Sequence, residues 1–143
     1  MLSVAEQILA RVAAALAAGA VTASAIDRGN EDSYGLDELP KINVKRGPSE
    51  SSSHAQNLER TLLNFEVEHH DAGAAWETLV DALHMAAHAV IANDAQLAAL
   101  GRGLRCTGTE ALGDQADFTT GKLVARYQIQ FLTRPGDPTR AIN

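Results

Sequence analysis

The apolar positions of this chain change period once, and that change organises the rest of the reading. Leu63, Phe65, Val67 and His69 alternate with Asn64, Glu66, Glu68 and His70, the period of two that a half-buried strand requires. After a break at Asp71-Ala72-Gly73 the period becomes helical. Trp76, Leu79, Val80, Leu83, Ala87, Val90 and Ile91 then fall on one stripe of a helix over residues 76–91.

The same logic predicts the other elements. Ser3-Val4-Ala5-Glu6 has the form of a capping box, with Ser3 as N-cap and Glu6 reaching back to it. Ile8, Val12, Ala15 and Leu16 continue as a helical stripe, and Gly19 is the expected stop, in the left-handed conformation that ends many helices. Residues 21–26 alternate weakly and read as a strand, while residues 27–40 are polar turns around Gly29 and Asn30. Residues 41–46 alternate strictly, with Ile42 and Val44 inward and Lys41, Asn43 and Lys45 outward. Asn93 or Asp94 caps a short helix through Leu97 and Leu100, ended by Gly101 or Gly103. Residues 104–109 read as a strand and residues 123–134 as the most regular one. There Leu123, Ala125, Tyr127, Ile129 and Phe131 share one face; Val124, Arg126, Gln128 and Gln130 share the other. Two polar stretches, residues 47–56 (GPSESSSHAQ) and 111–120, show no period and are expected to be flexible loops. Pro135-Gly136-Asp137-Pro138 opens a C-terminal tail over residues 135–143. Strands that follow one another without a crossover helix favour a mostly antiparallel sheet with helices packed on one face. The expected fold is therefore α+β, in a single domain over residues 1–143.

Composition narrows the classes. Hydrophobic residues at 45% with a mean hydropathy of -0.12 describe a soluble globular protein, and no run approaches a charge-free membrane span. The Ala-rich start carries Glu6, Gln7 and Arg11 without a basic leader, so it reads as a folded helix and not a secretion signal. Cys106 stands alone, which rules out an internal disulfide and suits a reducing compartment. A net charge of -6 and a pI near 5.2 argue against gripping DNA, whose phosphates need Lys and Arg.

Candidate chemistry is sparse. Glu77, Asp81, His84 and His88 form a polar stripe along the 76–91 helix, and His84 and His88 have the spacing of a metal-binding pair. A zinc-protease helix needs Glu directly after its first histidine, where this chain has Met85, and no further ligands are identifiable. His69 and His70 cannot both join such a site, because neighbours on a strand face opposite ways. The stripe therefore reads as solvated or subunit-facing, with no metal and no cofactor. Thr119-Thr120-Gly121-Lys122 lacks the earlier glycine and the following Ser or Thr of a phosphate-binding loop, so it reads as a turn entering a strand. Ser51, Ser52 and Ser53 beside His54 lack the third orienting group of a nucleophilic site. Cys106 reads as a small strand residue. Glu66 and Glu68, with Lys45 and Arg60, make a charged sheet face that is either solvated or meets a neighbouring subunit.

Taken together, the order of elements and several short strings resemble the tail terminator (tail completion, minor tail) proteins of long-tailed bacteriophages and prophages. The strings are Pro40-Lys41-Ile42-Asn43-Val44, Phe65-Glu66-Val67-Glu68 before the long helix, Asn93-Asp94 with Leu97, Ala125-Arg126-Tyr127-Gln128-Ile129 and the Asp137-Pro138 tail. The resemblance implies a non-enzymatic virion protein, assembled in the host cytoplasm, that caps the completed tail tube as a hexameric ring and forms the joint to the head. Its partners would be copies of itself, the tail tube protein and a head-tail connector, with DNA only passing through the lumen and no membrane. The candidate tube or subunit contacts are Ser51, Ser52, Ser53, His54, Asp114, Glu66 and Glu68. The alternatives are another neck or connector protein, or a small metal-binding enzyme using Asp81, His84 and His88.

Overall fold

The computed structural model describes residues 1–115 and 119–142. The elements in order are α1 (Val4–Ala18), β1 (Ile26–Arg28), a short 3-10 turn (Leu36–Glu38), β2 (Lys41–Ser53), β3 (Glu59–Ala72), α2 (Trp76–Ala92), α3 (Ala95–Leu100), β4 (Arg102–Gln115) and β5 (Thr119–Thr133). The strands form one sheet in the order β1-β2-β3-β5-β4. Among the described residues only the β1–β2 pair is parallel. The fold is α+β with a mostly antiparallel sheet and the helices on one face, as the periodicities require. Among the described residues no helix is long and apolar enough to cross a membrane.

The core lies between that sheet face and the helices. Val4, Ile8, Leu9, Val12 and Leu16 of α1 and Val80, Leu83, Ala87 and Ile91 of α2 meet Ile42, Val44, Leu63, Phe65, Val67, Leu123, Ala125, Tyr127 and Ile129. Phe65 and Tyr127, paired across β3 and β5, stack with centroids 5.3 Å apart. The α2 stripe is narrower than its pattern suggests, since Leu79 is 43% exposed.

Caps follow the sequence in part. Ser3 Oγ accepts from the Glu6 amide, but the Glu6 carboxylate turns away to Arg28, 3.0 Å off, so the reciprocal half of the expected box gives way to an ion pair. Gly19 does end α1, yet in extended backbone. Its missing side chain matters for another reason: a Cβ there would stand 2.7 Å from Val90 on α2. Asp94, not Asn93, caps α3 through the Leu97 amide and holds Arg11 of α1 with two bonds of 2.8 and 2.9 Å.

Three expectations about the strands need correction. Residues 47–56 are not a loop: β2 runs on to Ser53 as half of a hairpin, and only residues 54–58 turn. Residues 111–115 likewise continue β4 and residues 119–120 begin β5, while residues 116–118 of that expected loop lie outside the described residues. Residues 48–53 are exposed on both faces, and in 111–115 the position covered by Trp76 is a glycine, Gly113, so no apolar alternation marks either stretch. The strand expected at residues 21–26 is instead the three-residue β1, paired with Ile42, Asn43 and Val44 and ended where Gly29 turns the chain with a φ of +63°. The C-terminal tail is docked: Pro138 O accepts the first amide of α1 at 2.7 Å, and Ile142 N donates to Leu132 O at 2.8 Å.

Trp76, at the start of α2, lies flat on the sheet over two paired glycines, Gly113 of β4 and Gly121 of β5. A Cβ on Gly121 would sit 2.1 Å from the indole and one on Gly113 2.8 Å from it. Gly121→Ala is therefore expected to destabilise the fold by about 2 kcal/mol through overpacking. Adding Trp76→Ala should remove that clash, so urea denaturation of the four variants should show strong non-additivity; additive losses would disprove the contact.

Candidate functional site

Two polar clusters occupy opposite faces of β3, as its alternation dictates. On the open face, Glu68 is only 4% exposed, although sequence reasoning made it part of a solvated or subunit-facing surface. The segment after β1 covers it. The Asn30 amide donates to Asn43 Oδ1 at 3.1 Å and Asn43 Nδ2 donates to Asn30 O at 2.8 Å, which straps residues 30–34 across the sheet. Tyr34 then packs edge-on against His70 at 4.8 Å, with Lys41 Nζ 5.4 Å above its ring, and donates its hydroxyl to Asp27 at 2.9 Å. Such a strap has no hydrophobic signature, so nothing in the sequence pattern announces it.

Beneath the strap every acceptor of Glu68 is engaged. Oε1 takes His70 Nε2 at 3.2 Å and Asn43 Nδ2 at 3.3 Å; Oε2 takes Lys122 Nζ at 3.2 Å with Lys45 Nζ at 3.6 Å. Burial by itself would raise the carboxyl pKa, but the hydrogen bonds from His70 and Lys122 and the charges of Lys122 and Lys45 outweigh it and bring it down to about 2. A carboxylate so held is a poor proton acceptor at neutral pH and acts as a strut joining β2, β3 and β5. An open groove of about 440 Å³ runs beside it, lined also by Glu31, Asp71, Leu112 and Asp114.

On the helix face three histidines form a row. His69 is fully buried and donates from Nδ1 to Leu123 O at 3.0 Å. His84 meets it at 5.2 Å between ring centroids, and His88 stands 5.9 Å further along and hydrogen-bonds the Tyr127 hydroxyl at 2.9 Å. The expected solvated stripe is thus split: Glu77 and Asp81 face solvent, whereas His84 and His88 are half-buried against the sheet. His69 Nε2 and His84 Nδ1 are buried with no hydrogen-bond partner among the described residues. Burial depresses both: His69 falls to about 4, and His84 falls with a further contribution from the charge of His88. His70 points to the opposite face. Among the described residues no group of three or more His, Cys, Asp or Glu is placed to hold a metal ion.

The remaining sequence candidates are spread out. Ser51, Ser52, Ser53 and His54 lie exposed at the β2–β3 hairpin end, where Ser51 Oγ and Thr61 Oγ1 share a 2.8 Å hydrogen bond. Asp114 is exposed on β4, beside the opposite end of the sheet. Glu66 is half-buried on the open face, 3.7 Å from Arg126. Lys122, offered by the phosphate-loop reading, is committed to Glu68. What sequence reasoning missed is a property of the backbone. Among the described residues β4 is hydrogen-bonded on one side only, and β2 carries β1 only at Ile42, Asn43 and Val44, so both sheet edges are open. Compared with known proteins, the chain matches no family model and no curated sequence.

Proposed function

We propose that this chain is a structural protein of a long-tailed phage or prophage that caps the completed tail tube as a ring and forms the joint to the head. One observation carries the reading: a small helix-covered core holds a sheet with two open edges, and the exposed β2–β3 turn lies at the opposite end of that sheet from the exposed Asp114. A ring needs two different patches on each copy, related by a rotation that closes, and opposed edges of one sheet meet that requirement. The hairpin end at Ser51, Ser52, Ser53 and His54 offers backbone and hydroxyl groups to a tube, and the net negative charge lets DNA pass without adhering. The order of elements adds the resemblance to tail terminators.

Electron microscopy of particles made without the protein tests this. Abnormally long tails are expected; tails of normal length left unattached to heads would replace length control with a connector role. A chain whose residues 52–60 are replaced by a two-residue Asn-Gly turn should keep its circular dichroism, because Ser51 and Thr61, which then flank the turn, are themselves a cross-strand pair. It should nonetheless fail to cap tails. Normal capping by that variant would remove the hairpin end from the tube contact.

A further inference from the structure

We propose that β4 of one copy adds to the free edge of β2 in the next, with residues 105–110 antiparallel to residues 45–50. The proposal rests on the reading of the chain as ring-forming and names the joint between copies. Three features of the sheet point to it.

Direction comes first. β2, β3, β5 and β4 are successively antiparallel, so β2 and β4 run oppositely at the two sides of one sheet. A second copy in the same orientation therefore brings its β2 alongside β4 in antiparallel sense without inversion, and the contact is heterologous. The free part of β2 starts at Lys45, since Gly29 N already donates to Val44 O.

Charge comes second. Lys45 and Glu50 of β2 pair with Glu66 and Leu62 of β3, four ladder steps apart; Arg105 and Glu110 of β4 pair with Gln128 and Val124 of β5, also four steps apart. Each strand has a bulge between its two charges, at Arg46/Ser49 and at Cys106/Gly108, which returns both charges to the open face. Laid antiparallel, Lys45 meets Glu110 and Glu50 meets Arg105 on one face. Laid parallel, the same register would oppose like charges.

The third feature is Pro48. A proline ordinarily blocks strand addition, but here it lies in the β2 bulge, where the proposed register sets it against Thr107 and Gly108 in the bulge of β4. The missing N–H thus falls where the ladder is interrupted on both strands.

The register also puts Ser49 opposite Cys106. Facing residues of antiparallel strands have Cα atoms about 4.5–5.5 Å apart, within reach of a disulfide. The test uses the full chain with Ser49→Cys, oxidised at high concentration and run on a non-reducing gel, with circular dichroism confirming the fold of every variant. Covalent multimers beyond the dimer are expected, whereas the wild type, with Cys106 alone, stays monomeric. Adding Glu50→Lys should cut the cross-linked fraction about tenfold, and adding Arg105→Glu to that variant should restore it, since both side chains are exposed and neither touches the Glu68 cluster. A Ser49→Cys chain that stays monomeric, stops at dimers, or cross-links regardless of Glu50 would overturn the joint; wild-type dimers through Cys106 would show β4 meeting β4 instead. Multimers combined with normal tail lengths would sink the capping role and leave the joint standing. Overlong tails without cross-linking would do the reverse.

Discussion

Replacing Glu68 with alanine is expected to cost about 3 kcal/mol of folding stability, a large effect for a polar residue on the sheet face away from the helices. The carboxylate is almost wholly removed from solvent and is shared by Lys45, Lys122, His70 and Asn43. Its loss leaves the Lys122 ammonium without its counter-charge and Lys45 with only Glu31, 3.4 Å away, to balance it. Urea denaturation at pH 7 measures the loss. Glu68→Gln should cost less, since the amide oxygen still accepts, and Glu68→Leu combined with Lys122→Met should recover part of the difference by removing the stranded charge as well. If alanine at this position changes stability by less than 0.5 kcal/mol, of order the noise for surface sites, the strut has no energetic role.

Acid is expected to unfold this protein earlier than its carboxylates alone would require. His69 is neutral in the core, its pKa lowered to about 4 by burial, whereas in the unfolded chain it titrates at the ordinary histidine value of 6.5. As pH falls through that interval the unfolded chain takes up a proton that the folded chain refuses, so stability drops by about 3 kcal/mol from this residue. His84, shifted in the same direction, steepens the slope. Glu68 acts lower: its contribution is complete above the ordinary glutamate value of 4.5 and is lost as pH falls toward about 2. The urea midpoint measured from pH 7 to pH 4 should fall steadily, and His69→Leu should flatten the upper part of that slope. A flat profile across this range would mean that His69 charges freely in the native state.

How far the sequence revealed this molecule depends on where water is excluded. The boundaries of α2, the alternation of β3 and β5 and the capping of α3 were legible because one face of each is buried, which forces a period. Ser49, Ser51 and Ser53 carry no period because both faces of their hairpin are wet, so extended backbone there had no apolar mark. The burial of Glu68 was hidden for a different reason. It depends on the Asn30–Asn43 bonds that bring Tyr34 across the sheet, a pairing of amides thirteen residues apart. His84 and His88 were scored as polar and hence outward, yet imidazoles suit a half-buried position when a hydroxyl such as that of Tyr127 is in reach. Of the candidate contacts, the hairpin serines, His54 and Asp114 are exposed, whereas Glu68 is not.

The position of β5 has a consequence for how the chain acquires its shape. β3 and β4 are parallel to each other and lie on either side of β5, the last strand in chain order. Until β5 is in place neither has its inner neighbour, and Tyr127, Ile129 and Phe131 are missing from beneath α2. Since among the described residues β4 pairs only with β5, assembly must wait for these two strands together to dock on β3, a search over distant contacts that slows folding and leaves sticky strand edges bare meanwhile.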